Sequence, residues 1–285
     1  MLTKRDLTLA DGRTLRVYDS GPITDRGELA VFWHHGTSQL GTPPAPLGQV
    51  ADQLGIRWVS YDRPSYGGSS ELPGRDVAAT AADVAEVVDR LGIERFATLG
   101  TSGGGPSALA CAALLPQRVV AVACLAGLAP YEPAGLDWYA GMAADGEQEL
   151  RSAVAGRPAL KKYFQTAEFD PKTMFTPSDL AVLEADWAWM GSNGAGGIDG
   201  IIDDDLAYVK PWGFELSQVQ APVLLLHGED DRIVPSAHSR WLVRQLPRAQ
   251  LSLQPGEGHV SILTHGRTAL EWLRLTADRA TPGAG

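Results

Sequence analysis

Arg95-Phe96-Ala97-Thr98-Leu99-Gly100-Thr101-Ser102-Gly103-Gly104-Gly105-Pro106 is the stretch that decides the fold. A short β-prone run enters a glycine-rich turn. An Ala/Leu-rich segment, Pro106 to Leu115, leaves it as a helix with proline in its first turn. Gly100-Thr101-Ser102-Gly103-Gly104 fits G-x-S-x-G, placed between a strand and a helix as that pattern requires. The physical reading is a serine lifted out of the sheet on a tight turn, with neighbours too small to collide there. Gly103 offers its N–H at a helix N-terminus, where donors are unpaired and the dipole favours negative charge. Glycine-rich strand-to-helix turns also occur as plain architecture, so the motif gains its meaning from what surrounds it.

Working outward, strand-like runs alternate with helical ones. Leu7-Thr8-Leu9 and Leu15-Arg16-Val17-Tyr18 flank Asp11-Gly12 as a hairpin. Ala30–His34, Ile56–Tyr61, Arg95–Leu99, Val119–Leu125, Pro222–Leu226 and Ala249–Leu253 are apolar without strict alternation, which predicts parallel strands buried on both faces. Between them, Val77, Ala81, Val84, Val88 and Leu91 share one helical face that Gly92 terminates. Ser236 to Leu246 and Ile262 to Thr276 predict further helices. The expected class is α/β: a mostly parallel eight-stranded sheet flanked by helices, with residues 1–130 and 215–280 forming the core.

The alternation breaks over residues 131–214, which predict a helical cap, or lid, over the carboxyl ends of the strands. This segment holds 12 of the 21 aromatic residues, and 14 acids against six bases, a difference of −8 in a chain of net charge −10. Such an acidic lid suits a cationic substrate, unless its acids simply solvate an outer face. Asp203-Asp204-Asp205 is read as a solvated turn or helix cap, not a metal site. Residues 281–285 are expected to be a disordered tail.

Bulk properties narrow the setting. No apolar stretch reaches the roughly 18 residues of a membrane span, and Met1 to Asp6 lacks the apolar core of a signal peptide. Cys111 and Cys124 lie in apolar segments and read as buried free thiols. A cytoplasmic protein is expected, a monomer or a homodimer. The net charge of −10, with no basic stripe, argues against nucleic acid.

A serine hydroxyl needs a base to become a nucleophile. Of the six histidines, His259 stands in Gly256-Glu257-Gly258-His259, between the last strand and the last helix. His238 and His265 read as surface residues of helices, and His227 as a packed strand end. An orienting acid should follow the strand Pro222–Leu226, where Asp230 and Asp231 both stand. Asp62, after its own strand, reads as a loop anchor.

In the order Ser102, Asp231, His259, the chain resembles the α/β-hydrolase superfamily, specifically its cap-bearing, esterase-like and proline-iminopeptidase-like serine hydrolases. The resemblance implies Asp231, three residues after Gly228, as the acid, with Asp230 the alternative. It implies the N–H groups of Thr37, in His34-His35-Gly36-Thr37, and of Gly103 as donors to an oxyanion, the His35-Gly36 pair shaping that loop. Tyr61 to Ser70 resembles a structural loop of the same family, with Ser65 where glycine is usual. The longer glycine run of lipase-like members is missing here. The expected activity is cleavage of a small ester or lactone through an acyl-enzyme on Ser102, with no cofactor and no metal. A second expectation is an aminopeptidase whose lid carboxylate, Glu184 or Asp186, holds the substrate amine. A third is a non-hydrolytic enzyme or ligand-binding protein on the same fold. Trp187 and Trp189 join Glu184 and Asp186 as candidate substrate-binding residues.

Overall fold

In a computed structural model, which describes residues 2–22, 28–168, 170–185, 187–188 and 197–280, the apolar runs form one sheet. Its strands are Thr3–Thr8 (β1), Thr14–Asp19 (β2), Leu29–His34 (β3), Ile56–Tyr61 (β4), Phe96–Thr101 (β5), Val119–Leu125 (β6), Val223–Gly228 (β7) and Ala249–Gln254 (β8). They lie in the order β1-β2-β4-β3-β5-β6-β7-β8. β2 runs antiparallel to β1 and β4, and the pairings from β4 to β8 are parallel. Strands β5 and β7 extend past their predicted ends, to Thr101 and Gly228. Polar side chains there interrupt the apolar pattern, but backbone pairing continues, with His227 opposite Leu253.

The helices are Gly48–Gln53 (α1), Ala79–Arg90 (α2), Gly104–Leu114 (α3), Ala144–Val154 (α4), Arg157–Thr166 (α5), Pro171–Met174 (α6), Pro177–Leu183 (α7), Ile198–Tyr208 (α8), Ala237–Gln245 (α9) and Gly266–Ala280 (α10). The predicted last helix begins later than expected: Ser261–His265 is a 3-10 turn that leads into α10. The two-residue period of a strand sends neighbours to opposite faces. Phe32 packs with Val84, Leu109 and Leu225 on one side of the sheet. Val31 and Trp33 pack with Val50, Ile262 and Leu270 on the other. β8, at the sheet edge, is only partly buried. Cys111 and Cys124 are buried free thiols, as expected. Among the described residues no helix is long and apolar enough to cross a membrane.

Helices α4 to α8 all lie between β6 and β7, and there the acidic triplet departs from its reading. Asp203, Asp204 and Asp205 are buried inside α8 rather than solvated. Asp204 accepts hydrogen bonds from Arg63 Nη2 (2.6 Å), Arg75 Nη2 (2.6 Å) and Tyr66 Oη (2.7 Å). Burial alone would raise its pKa, but the two guanidiniums outweigh burial and hold it below the usual carboxylate range. Asp203 pairs with Arg157 and accepts from Ser65 Oγ at 2.6 Å. Asp205 meets Glu149 of α4; burial and the second carboxyl raise Asp205 well above its ordinary value, and burial raises Glu149 to about 7. The surplus acids of this segment are therefore partly matched by arginines far away in sequence, which no local pattern displays.

Ser65 carries a left-handed φ of 73°. That conformation accounts for the glycine expected there, and the bond to Asp203 holds the serine in it. Asp62 ties this loop down as expected, accepting from the N–H of Gly41 (2.7 Å) and Gly68 (3.2 Å). His238 is a correction: it is buried, accepting from the Ala129 N–H at Nδ1 (3.0 Å) and donating from Nε2 to the Trp138 carbonyl (2.9 Å). Burial lowers its pKa to about 4.

Asp204→Ala leaves two guanidiniums buried without their partner. It should cost about 3–5 kcal/mol in urea unfolding, against under about 0.5 kcal/mol for Asp199→Ala on the exposed side of α8. Ser65→Ala should destabilise by about 2 kcal/mol, because it keeps the strained φ and loses the charged hydrogen bond. Ser65→Gly should cost about 1 kcal/mol less than Ser65→Ala, because it relieves the strain. Equal losses in the two variants would contradict this account.

Candidate active site

Strand β5 ends in a turn that leaves no room for a side chain at Gly100, Gly103, Gly104 or Gly105. Ser102 has a φ of 50°. A Cβ at Gly100 would run into the Gly104 carbonyl, and one at Gly104 into the His34 carbonyl. A Cβ at Gly105 would strike Cys124 Sγ, and one at Gly103 would strike Tyr208 Oη and Thr37 Oγ1. Left-handed backbone costs a non-glycine residue about 1–2 kcal/mol. The Ser102 N–H to Leu125 carbonyl bond (2.8 Å) and the Gly105 N–H to Ser102 carbonyl bond (2.9 Å) hold the turn in place.

His259 reaches this serine from the loop after β8. Its Nε2 lies 2.9 Å from Ser102 Oγ, and its Nδ1 lies 2.8 Å from Asp231 Oδ2. A neutral imidazole donating from Nδ1 to the carboxylate leaves Nε2 free to accept the serine proton. Burial disfavours the imidazolium, yet the Asp231 charge and hydrogen bond outweigh burial, and Asp179 adds to them, so the His259 pKa is raised. Asp231 is buried; burial would raise its carboxyl, but His259 and His227 hold it below the ordinary range. Its Oδ1 accepts from the N–H groups of Ile233 (2.8 Å) and Val234 (2.9 Å). Asp230 is exposed, and its N–H bonds the Glu257 carbonyl at 3.0 Å. The close packing of β7 on the histidine loop also explains Gly228, where a Cβ would meet the carbonyls of Glu257 and Gly258.

His227 stands behind the acid. Its Nε2 donates to the Val234 carbonyl (2.7 Å) and lies 3.2 Å from Asp231 Oδ2, while Nδ1 accepts from Ser239 Oγ (2.7 Å). It is packed, as expected, and also bonded. His265 is part-buried and pairs with Glu257 at 3.3 Å.

The loop after β3 brings Thr37 beside the elbow. Thr37 Oγ1 lies 3.0 Å from Tyr208 Oη, which donates to the Gly103 carbonyl at 3.1 Å. Among the described residues, no acceptor takes the backbone N–H of Thr37 or of Gly103. His35 accepts the Arg63 N–H at Nε2 (3.1 Å) and donates from Nδ1 to the Gly36 carbonyl (2.7 Å). The Arg63 guanidinium also bonds the His35 carbonyl. Burial and the nearby guanidinium keep His35 neutral. Sequence reasoning missed Tyr208 and the Arg63–Asp204 pair. The one local signal is that Asp204 and Tyr208 share a helical face at i and i+4.

The proposed substrate contacts fare unevenly. Glu184, at the end of α7, is exposed, and Trp187 is buried in the core cluster that holds Trp33 and Leu226. Asp186 and Trp189 lie outside the described residues. Clefts of about 670 Å³ by Trp212 and Trp241 and about 500 Å³ by Arg95 and Arg248 do not border Ser102. Among the described residues no group of three His, Cys, Asp or Glu side chains is arranged to hold a metal ion.

A family model described as alpha/beta hydrolase fold matches residues 30–266. The chain is 29% identical over 279 residues to a 2-hydroxy-6-oxononadienedioate/2-hydroxy-6-oxononatrienedioate hydrolase of Burkholderia vietnamiensis, covering 93% of each chain. It is 30% identical over 249 residues to a pimeloyl-acyl-carrier-protein methyl ester esterase of Nitrosomonas europaea, covering 85% of this chain and 92% of that one. In three dimensions it is similar to a thermophilic esterase from Thermogutta terrifontis, with a TM-score of 0.71 at 21% identity, covering 96% of this chain and 99% of the other.

Proposed function

Because the chain belongs to the alpha/beta hydrolase fold family, we propose that it is a serine hydrolase acting on a small ester or lactone. The observation that carries this reading is the unbroken hydrogen-bonded line from Ser102 through His259 to Asp231. Ser102 Oγ attacks the carbonyl carbon while His259 Nε2 takes its proton. Thr37 and Gly103 donate their N–H groups to the tetrahedral oxyanion. The carbon–oxygen bond to the leaving alkoxide breaks, and His259 returns the proton to it. Water then attacks the acyl-enzyme with His259 again as base, which frees the acid and restores Ser102. Helices α4 to α8 are read as a cap over this site, since Asp204 and Tyr208 of α8 reach the Thr37 and Gly103 loops. The ester reading draws support from the 30% identity to the methyl ester esterase.

A second reading is favoured by the likeness to the oxononadienedioate hydrolase: cleavage of a carbon–carbon bond beside a ketone in an oxo-dienoate. Against a diacid substrate stands the pairing of Arg63 and Arg75, the guanidiniums beside the Thr37 loop, with Asp204. A panel of aryl esters, lactones, oxo-dienoates and aminoacyl anilides separates the readings. Ester or lactone turnover supports the first, and selective oxo-dienoate cleavage replaces it with the second.

A fluorophosphonate probe should label the wild type and leave Ser102→Ala unmodified, and Ser102→Ala should lower ester kcat by roughly 10⁴- to 10⁶-fold. Equal labelling of the two proteins would overturn the serine assignment. The base works only when neutral, and its pKa lies above the ordinary 6.5. kcat/KM should therefore fall as pH drops, with a midpoint above 6.5. Asp231→Asn should lower that midpoint and reduce kcat by roughly 10⁴-fold.

A further inference from the structure

Asp179 is a buried carboxylate with two unrelated sets of partners. It stands in the first turn of α7, three residues after Thr176, in a capping box. Its Oδ2 accepts from the Thr176 N–H at 3.0 Å, and Thr176 Oγ1 accepts from the Asp179 N–H at 3.2 Å. Capping the helix uses Oδ2 alone. Oδ1 points the other way and accepts from the N–H groups of Val260 (2.7 Å) and Ser261 (2.8 Å), 81 and 82 residues away. These are the two peptide groups that directly follow His259. Gly258, on the other side of His259, packs against the same carboxylate, and a Cβ there would strike Asp179 Oδ2. Ser178 Oγ adds a bond to the Gly256 carbonyl at 3.0 Å.

Capping does not explain why a charge should be buried at this point. A side chain that reaches one N–H suffices for a cap, and burying a carboxylate is costly unless its oxygens are well bonded. We propose that Asp179 is a positioning residue for His259: its Oδ1 clamps the peptide groups after the histidine, and so fixes the direction in which the imbedded imidazole meets Ser102. The proposal rests on the serine-hydrolase reading and goes beyond it, because it makes the base's geometry depend on the helical segment between β6 and β7. Displacements of about 1 Å at a reacting group can cost roughly 100-fold in rate. The charge matters as well as the bonds. Among the described residues, the charged groups facing His259 are Asp231, from the loop after β7, and Asp179, from α7. His227 lies behind Asp231, and Glu257 is paired with His265 further along the same loop. Asp179 adds to Asp231 in favouring the imidazolium, so removing its charge should lower the His259 pKa.

The test follows the second-order rate of fluorophosphonate labelling against pH, which needs no knowledge of the natural substrate. Wild type, Asp179→Asn, Gly258→Ala and Ser102→Ala are compared at a temperature where circular dichroism shows each folded. Asp179→Asn should label at least roughly tenfold more slowly on its plateau. Its acid limb should move to lower pH by roughly half a unit or more. Gly258→Ala pushes the carboxylate off the loop with the charge kept, and carries the test if Asp179→Asn does not fold. It should show the slower plateau. Wild-type plateau and limb in the folded variants, with Ser102→Ala unlabelled, would reduce Asp179 to a helix cap and overturn the proposal. Labelling of Ser102→Ala at the wild-type rate would instead remove the serine-hydrolase reading on which the proposal rests.

Discussion

The left-handed turn at Ser102 is the constraint around which the molecule is arranged. A φ of 50° at a serine is unfavourable by itself. It persists because β5 enters the turn buried in mid-sheet and α3 leaves it buried against the same sheet. Space is the second condition. Gly100, Gly103, Gly104 and Gly105 each sit where a Cβ would collide with backbone or with a fixed side chain. The glycines are thus set by the closeness of β3, β6 and α8, and the serine hydroxyl is what the turn leaves exposed.

Two carboxylates from the segment between β6 and β7 then reach into the parts that surround that hydroxyl. Asp204 holds Arg63 and Arg75, and through Arg63 it braces the His35 carbonyl beside Thr37. Asp179 bonds the peptides after His259. Both are buried, and each accepts several hydrogen bonds from donors distant in sequence. A buried, well-bonded pair gives modest net stability, yet removing one partner is expensive. Such groups therefore favour one arrangement over its neighbours more than they deepen the fold. If the segment is the cap proposed above, specificity and catalytic geometry share one set of contacts.

The electrostatic balance is not the same at Asp204, Asp231 and Asp205. Burial pushes all of them toward the neutral form. At Asp204 two guanidiniums win, and at Asp231 two histidines and the N–H groups of Ile233 and Val234 win. At Asp205 burial and the Glu149 carboxyl raise its pKa. Adjacent Asp204 and Asp205 thus shift in opposite directions because their partners differ, not because their local sequence does.

Much of the fold was legible from residues alone. Six apolar runs and a hairpin marked the strands, and Gly100 to Gly104 marked the turn, because backbone conformation and strand burial leave local signatures. The positions of Ser102, His259 and the acidic pair Asp230-Asp231 were legible for the same reason, each following a strand. Other features had no local signature. Asp203-Asp204-Asp205 read as a solvated cluster, since its arginines lie near residues 63, 75 and 157. His238 read as a surface residue, since its donor and its acceptor are the backbone N–H of residue 129 and the carbonyl of residue 138. The choice between Asp230 and Asp231 turned on which of two adjacent side chains faces inward, and only the packing of β7 against the histidine loop decides that. The sequence by itself determined where the turn must be and which residue it presents. The tertiary structure decided which charges are buried together, because a buried charge is set by partners that meet only when distant segments pack.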